Sequence, residues 1–206
     1  TLINDLLDYS SIEAGELKIL NKPFHLRELI SEVHMMLNYK AEDNGLSLTY
    51  KVSDDVEDLF IGDINRLRQV LLNFLSNAIH YTEKGKVQLT VEPDSGKMGY
   101  YLFEVIDSGI GIDRNKIETL FKRFSQVETS RARPQGGAGL GLAISKGIIE
   151  ALNGTVGVES QPEKGSTFWF ELPVASGNEA KEDMAASQDM VEIDLKDRKG
   201  TRLNSS

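Results

Sequence analysis

The sequence predicts an α/β (α+β) two-layer sandwich, in which a mixed sheet carries helices on one face. Three observations support this. Two pairs of strand-like runs, "KVQLTVE" with "YYLFEVID" and "TVGVES" with "GSTFWFELP", are separated by turn residues and read as hairpins. A further strand-like run, "LSLTYKV", follows a helical pattern instead of another strand. Amphipathic segments with a period near 3.6 alternate with these runs, each with one apolar face to bury.

Each element has its own warrant. In "TLINDLLDYSSIEAGEL" the residues Leu2, Ile3, Leu6, Leu7 and Tyr9 fall at helical spacing, as in the last turns of a longer helix. Pro23 ends any helix there. "LRELISEVHMMLNYKAEDNG" reads as a second helix closed by Asn44-Gly45, and "DLFIGD" as a short extended piece after "LSLTYKV". From Ile64 to His80, Leu67, Val70, Leu71, Phe74, Leu75, Ala78 and Ile79 recur at steps that make one buried stripe. Leu140, Leu142, Ala143, Ile144, Ile148, Ile149, Ala151 and Leu152 form the apolar face of a last helix ending at Asn153-Gly154.

Three parts are expected. Residues 1–20 are the end of a helix from a preceding domain, 21–174 are the main domain, and 175–206 are an acidic linker or disordered tail. The final "KGTRLNSS" reads as vector-derived, and the start at Thr1, without an initiator methionine, suggests a piece of a longer protein.

With 206 residues and 40% hydrophobic composition, the chain can bury a real core. Its net charge of -9 argues against nucleic acid as the main partner. No cysteine is present, so disulfides and thiolate metal sites are excluded. Neither a membrane-length apolar run nor a signal peptide is visible, which predicts a cytoplasmic location for this piece and is compatible with an inner-membrane anchor elsewhere in the full-length protein.

Three motifs carry chemistry. In "GGAGLGLAIS", ending at Ser145, glycines run straight into a helix. They serve either close packing or a ligand whose anionic group sits on free N–H groups at the helix start. The pattern is neither G-x-x-x-x-G-K-[ST] nor a G-x-G-x-x-G following a strand. In the Ile64 helix, Arg66, Gln69, Asn73, Asn77 and His80 follow the stripe opposite the core. An Asn oxygen is a neutral hard ligand suited to Mg²⁺, although a solvated helix face is the plainer reading. The third motif is Asp107, at a strand end before Gly109 and Gly111. A carboxylate only accepts hydrogen bonds, so a buried one can read an exocyclic amino group; the plainer reading is an Asx turn.

In this order the motifs resemble the ATP-binding catalytic domain of sensor histidine kinases of hybrid type, within the superfamily of gyrase, heat-shock chaperone and MutL ATPases. "NFLSNAIHYT" looks like the N box, "DSGIGI" and "GGAGLGLAIS" the two glycine boxes, "LFKRFSQ" the F box, and "GSTF" a later nucleotide-pocket motif. "LINDLLDYSSIEAGEL" resembles the end of the second dimerisation helix, and "RFSQVETSRARPQGG" is similar to the ATP lid.

The resemblance implies ATP and Mg²⁺ as ligands and a Bergerat-type fold. Asn73 and Asn77 would hold the metal and phosphate, with Asn77 the direct ligand. Asp107 would bind the adenine amino group, and Gly109 and Gly111 would shape the base pocket. Gly137, Ala138, Gly139, Leu140 and Gly141 would line the phosphates, His80 and Tyr81 would lie near the nucleotide, and Thr167 would sit near the base. Arg133 would neutralise charge on the γ-phosphate. The implied partners are the dimerisation domain of the same protein in a homodimer, and a receiver domain or response regulator.

Two positions depart from the family's pattern: His80 stands where the N box usually has Lys, and Ala138 replaces a usual Thr. The implied activity is phosphoryl transfer from ATP to a histidine of the dimerisation domain, which this chain lacks, for relay to a receiver aspartate. Two alternatives stay open, an ATP-hydrolysing conformational clamp and a degenerate kinase acting through binding.

Overall fold

The computed structural model describes residues 2–123 and 139–173. In chain order the elements are α1 (Leu2–Glu13), β1 (Lys22–His25), α2 (Leu26–Asp43), β2 (Leu46–Val52), β3 (Leu59–Gly62), α3 (Ile64–Tyr81), β4 (Gly85–Pro93), β5 (Tyr100–Asp107), α4 (Arg114–Ile117), α5 (Gly141–Ala151), β6 (Thr155–Gln161) and β7 (Gly165–Pro173). The main sheet has the order β2-β4-β5-β7-β6. β2 runs parallel to β4 and the other neighbours are antiparallel, so the sheet is mixed, as expected. Both expected hairpins form.

A second sheet was not expected. β1 and β3 pair antiparallel with Phe24 opposite Phe60, so the connector around Pro23 and the short extended piece form one ribbon. Its strands have four residues each, too short for periodicity to declare.

Strand alternation sets the core. Val87, Leu89 and Val91 of β4, Tyr101, Phe103 and Val105 of β5, and Phe168, Phe170 and Leu172 of β7 are all buried on one face. Phe103 and Phe170 are opposite each other and stack with ring centroids 4.6 Å apart. α3 covers this face: Phe74 meets Phe168 and Phe170 at 5.6 and 5.8 Å. The whole apolar stripe predicted for α3 is buried, and each of its Leu, Val, Ile and Phe side chains contributes about 1.5–3 kcal/mol relative to exposure.

Local chemistry fixes the helix ends. Asp63 caps α3, its Oδ1 accepting from the N–H groups of Asn65 and Arg66 at 3.1 Å each. α5 closes in a Schellman motif: Asn153 has φ 60° and the Gly154 N–H donates to the Ile149 carbonyl at 2.8 Å. α2 has no side-chain cap of its own. Asp58 supplies one from β3's approach, accepting from the Arg27 N–H at 2.8 Å.

α1 lies against α5. Ile12 packs where a side chain at Gly147 would stand, so Gly147 leaves the notch that seats it. Asp8 accepts from Arg66 Nη1 and Gln69 Nε2 on α3, each at 2.8 Å. Among the described residues, no helix is long and apolar enough to cross a membrane.

Candidate functional site

The buried rows of the sheet change character at one end. After Phe103 and Val105 on β5 comes Asp107; beside it on β7 stands Ser166, and beside that on β6, Ser160. A polar rung thus crosses three strands where the pattern would otherwise continue apolar. Asp107 Oδ1 accepts from the N–H groups of Gly109 at 2.8 Å and Ser166 at 3.2 Å. Among the described residues no hydrogen bond reaches its Oδ2. Burial pushes this carboxyl above its ordinary pKa, while the two N–H donors pull in the opposite direction. Asp107 therefore presents one open acceptor oxygen at the edge of a buried face, the chemistry that reads an amino donor.

The loop after β5 is held by backbone contacts. The Ile110 N–H donates to the Tyr81 carbonyl at 3.3 Å, and the Ile110 carbonyl accepts from the Glu163 N–H at 2.8 Å. A side chain at Gly109 would collide with the Tyr81 carbonyl, and one at Gly111 with the Gln161 carbonyl. Gly111 also has φ 66°, which disfavours any other residue.

α3 joins this loop to the glycine-rich helix. Its C-terminal Tyr81 touches the loop, and its middle meets the start of α5: Asn73 Nδ2 donates to Ser145 Oγ at 2.8 Å. Asn73 Oδ1 then faces Gly141, where any Cβ would strike it, and lies 3.5 Å from Asn77 Nδ2. Among the described residues Asn77 Oδ1 accepts no hydrogen bond. No group of three or more His, Cys, Asp or Glu side chains gathers among the described residues. The Asn77 amide oxygen is a hard donor of the kind Mg²⁺ accepts, with ligand phosphates and water to complete its shell.

α5 starts without a side-chain cap. Leu140 is buried, and its carbonyl accepts from Ile144 at 2.9 Å, the first bond of the helix. The N–H groups of Gly141, Leu142 and Ala143 precede that bond and face outward along the axis, an arrangement that favours an anion. Gly139, with φ 70°, turns the chain into this helix.

The structure divides the predicted α3 stripe. Arg66 and Gln69 are engaged by Asp8 of α1, whereas Asn73 meets the glycine helix and Asn77 stands one turn further along α3. His80 is half-buried and its ring meets that of Tyr81 edge-on, centroids 4.8 Å apart. Burial raises the Tyr81 hydroxyl above its ordinary pKa. Thr167 pairs with Ile106, so alternation puts it on the sheet face opposite Asp107, and Ser166 is the residue brought to the carboxylate. Arg133, Gly137 and Ala138 lie outside the described residues. Sequence reading missed Ser145, Ser160 and Ser166. The last was findable by period-two counting back from Phe168 and Phe170.

Comparison with known proteins fits this geometry. Residues 62–176 match the family model described as "Histidine kinase-, DNA gyrase B-, and HSP90-like ATPase". The sensory/regulatory protein RpfC of Xanthomonas campestris pv. campestris is 41% identical over 88% of this chain, and 25% of RpfC is covered. The signal transduction histidine-protein kinase BarA of Escherichia coli K12 is 40% identical over 83% of this chain and 19% of its own. The chain thus spans a quarter or less of these relatives. Full-length ShkA in complex with AMPPNP superposes with a TM-score of 0.75 at 34% identity, covering 84% of this chain and 35% of that one. The histidine kinase ThkA in complex with the response regulator protein TrrA gives 0.64 at 27% identity, over 84% and 48%. On the family match and these relatives, the chain belongs to the histidine kinase-, DNA gyrase B- and HSP90-like ATPase family.

Proposed function

We propose that this chain is the ATP-binding catalytic part of a hybrid-type sensor histidine kinase. It binds ATP and passes the γ-phosphoryl group to a histidine on the dimerisation domain of the same protein, from which a receiver aspartate takes it. The observation that carries this reading is Asp107, buried at the end of β5 with Oδ2 open and flanked by glycines. In this role Asp107 accepts from the adenine amino group, with Ser166 beside it in the place expected of Thr167. Gly109 and Gly111 give the base access to backbone.

The phosphates lie along Gly137, Ala138, Gly139, Leu140 and Gly141, where the uncapped start of α5 favours their charge. Asn77, aided by Asn73, holds Mg²⁺, which supplies charge neutralisation of the phosphates when bound. Arg133 offers a guanidinium to the γ-phosphate. His80 and Tyr81 flank the nucleotide. These residues bind and orient; the transfer exchanges the γ-phosphorus bond to its bridging oxygen for one to the acceptor's ring nitrogen, and ADP leaves.

Transfer is favoured over hydrolysis by Asn73. A hydrolytic clamp needs a general base there, and an amide whose nitrogen is bound to Ser145 takes no proton from water. None of the chain's three histidines suits the acceptor role. His25 bonds Asp58 at 2.8 Å, His34 lies 3.0 Å from the Leu48 carbonyl, and His80 belongs to the site. Exposed Ile3, Leu6 and Leu7 on α1 support its pairing with another helix in a homodimeric dimerisation domain. Residues 1–20 then end that domain, 21–174 form the catalytic domain and 175–206 an acidic linker or tail, on the cytoplasmic side.

Isothermal titration with ATP, with and without Mg²⁺, tests binding, and γ-labelled ATP with the dimerisation helices added in trans tests transfer. Saturable Mg²⁺-dependent binding and acid-labile label on the added helices are expected. Absence of ATP binding would sink the reading. Label on the chain alone would reassign the acceptor to His25 or His34.

A further inference from the structure

The polar rung contains a residue that no part of the nucleotide reading requires. Ser160 lies on β6, two strands away from Asp107, yet its hydroxyl is where three separate segments meet. Ser160 Oγ accepts from the Ile112 N–H at 2.9 Å, sits 2.9 Å from the Gly165 carbonyl, and sits 2.9 Å from Ser166 Oγ. Ile112 ends the loop that begins at Asp107. Gly165 opens β7, and its carbonyl neighbours the Ser166 N–H that binds Asp107 Oδ1.

We propose that Ser160 is a positioning residue for the base pocket, setting both the 109–112 loop and the Ser166 hydroxyl beside Asp107. Proton counting supports the assignment. A serine has one proton to donate, and the Gly165 carbonyl can only accept, so Ser160 donates there. Ser166 must then donate to Ser160, which leaves the Ser166 oxygen as an acceptor for any further partner. Asp107 Oδ2 is an acceptor too. The rung thus presents two acceptors, matched to the two hydrogens of an exocyclic amino group.

The loop needs such a tie. The hydrogen bonds of Ile110 to α3 and to the β6–β7 turn run through backbone, to Tyr81 and Glu163. Ser160 is the side chain that links the far end of the loop to the strand carrying Ser166. Removing its hydroxyl leaves the Ile112 N–H without its acceptor and frees Ser166 to turn its proton into the pocket.

The inference rests on the ATP reading above, so the test first measures the parent chain. Binding is followed for ATP, for purine riboside triphosphate, which lacks the exocyclic amino group, and for inorganic tripolyphosphate. In Ser160→Ala we expect ATP affinity to fall about tenfold, and the preference for ATP over the purine analogue to shrink by a similar factor. Tripolyphosphate should bind unchanged, and Ser160→Thr, which keeps the hydroxyl, should restore ATP affinity. Ser160→Ala binding ATP like the parent would overturn the proposal. So would equal losses for ATP and tripolyphosphate, which mark a general loss of structure. A parent that binds none of the three would instead sink the ATP reading itself.

Discussion

Asn73 and Ser145 join α3 to α5 through one hydrogen bond of 2.8 Å, the asparagine amide nitrogen donating to the hydroxyl of a serine that is 1% exposed. This bond orients the asparagine. With its nitrogen held, Asn73 turns its oxygen to Gly141 at the first turn of α5, so the two candidate phosphate-site elements are set by one side chain. Ser145→Ala should leave the amide without its partner, costing about 1–3 kcal/mol. Chemical denaturation would read that loss, and nucleotide titration should show weaker binding with it. Gly141→Ala puts a methyl against Asn73 Oδ1, so ATP binding should fall even though alanine is the better helix former.

Asp107→Asn replaces an acceptor oxygen by a donor at the same volume. If the open oxygen faces the adenine amino group, ATP affinity should drop by about five- to 150-fold, in keeping with about 1–3 kcal/mol for an unmatched buried polar group. The pH dependence has a defined sign. Burial raises the carboxyl, so the free folded chain holds this proton more tightly than the unfolded chain does. Its contribution to stability is therefore present below the ordinary aspartate value of 3.8 and is lost as pH rises through the raised value. Nucleotide binding runs the other way, because the amino group needs the ionised form. ATP affinity should weaken as pH is lowered toward the raised value, and Asp107→Asn should remove that dependence; titration calorimetry across the acid range would show either result.

Much of the fold was legible because it rests on local rules. Asn44-Gly45 and Asn153-Gly154 end α2 and α5 through backbone preferences that a few residues reveal. The α3 stripe follows from period alone. What escaped was long-range. The β1–β3 ribbon joins residues about forty apart, and the cap of α2 comes from Asp58 rather than from a neighbour in sequence. The candidate site divides the same way. Asp107 and Asn73 announced themselves by residue type, but their partners Ser166 and Ser145 are ordinary serines until the strands and helices bring them close. Arg66 and Gln69 share the stripe of Asn73, and only the seat of α1 separates their roles.

His80 stands at the end of α3, its ring against Tyr81. Lysine at this position adds a full charge on a flexible stem. If the side chain reaches the phosphates, His80→Lys should tighten ATP by about 1 kcal/mol, the order of a charge-assisted hydrogen bond. The gain should shrink at high salt, since the charge is only partly shielded from solvent. Titrations at two ionic strengths would check both; unchanged affinity would mean that position 80 points away from the triphosphate.

Asp8 holds α1 on the domain by charge and geometry together. Its two oxygens accept from Arg66 Nη1 and Gln69 Nε2, and Arg66 Nη1 also donates to Gln69 Oε1 at 2.9 Å, so the three side chains close on one another. All three are part-buried, and hydrogen bonds to a charged group are worth about 1.5–3 kcal/mol. Among the described residues α1 is also held by Ile12 in the notch at Gly147, Arg123 over the Tyr9 ring at 4.7 Å, and the Arg123–Glu13 ion pair. Asp8→Ala should therefore loosen α1 without unfolding the sheet. Amide exchange in α1 should quicken while α3 and β5 stay protected, since local opening is governed by local contacts. Gly147→Val should have the same effect by filling the notch, and combining it with Asp8→Ala should add little once the helix is already off. Equal exchange in all regions of both variants would show that α1 is not separately held and opens only with the whole domain.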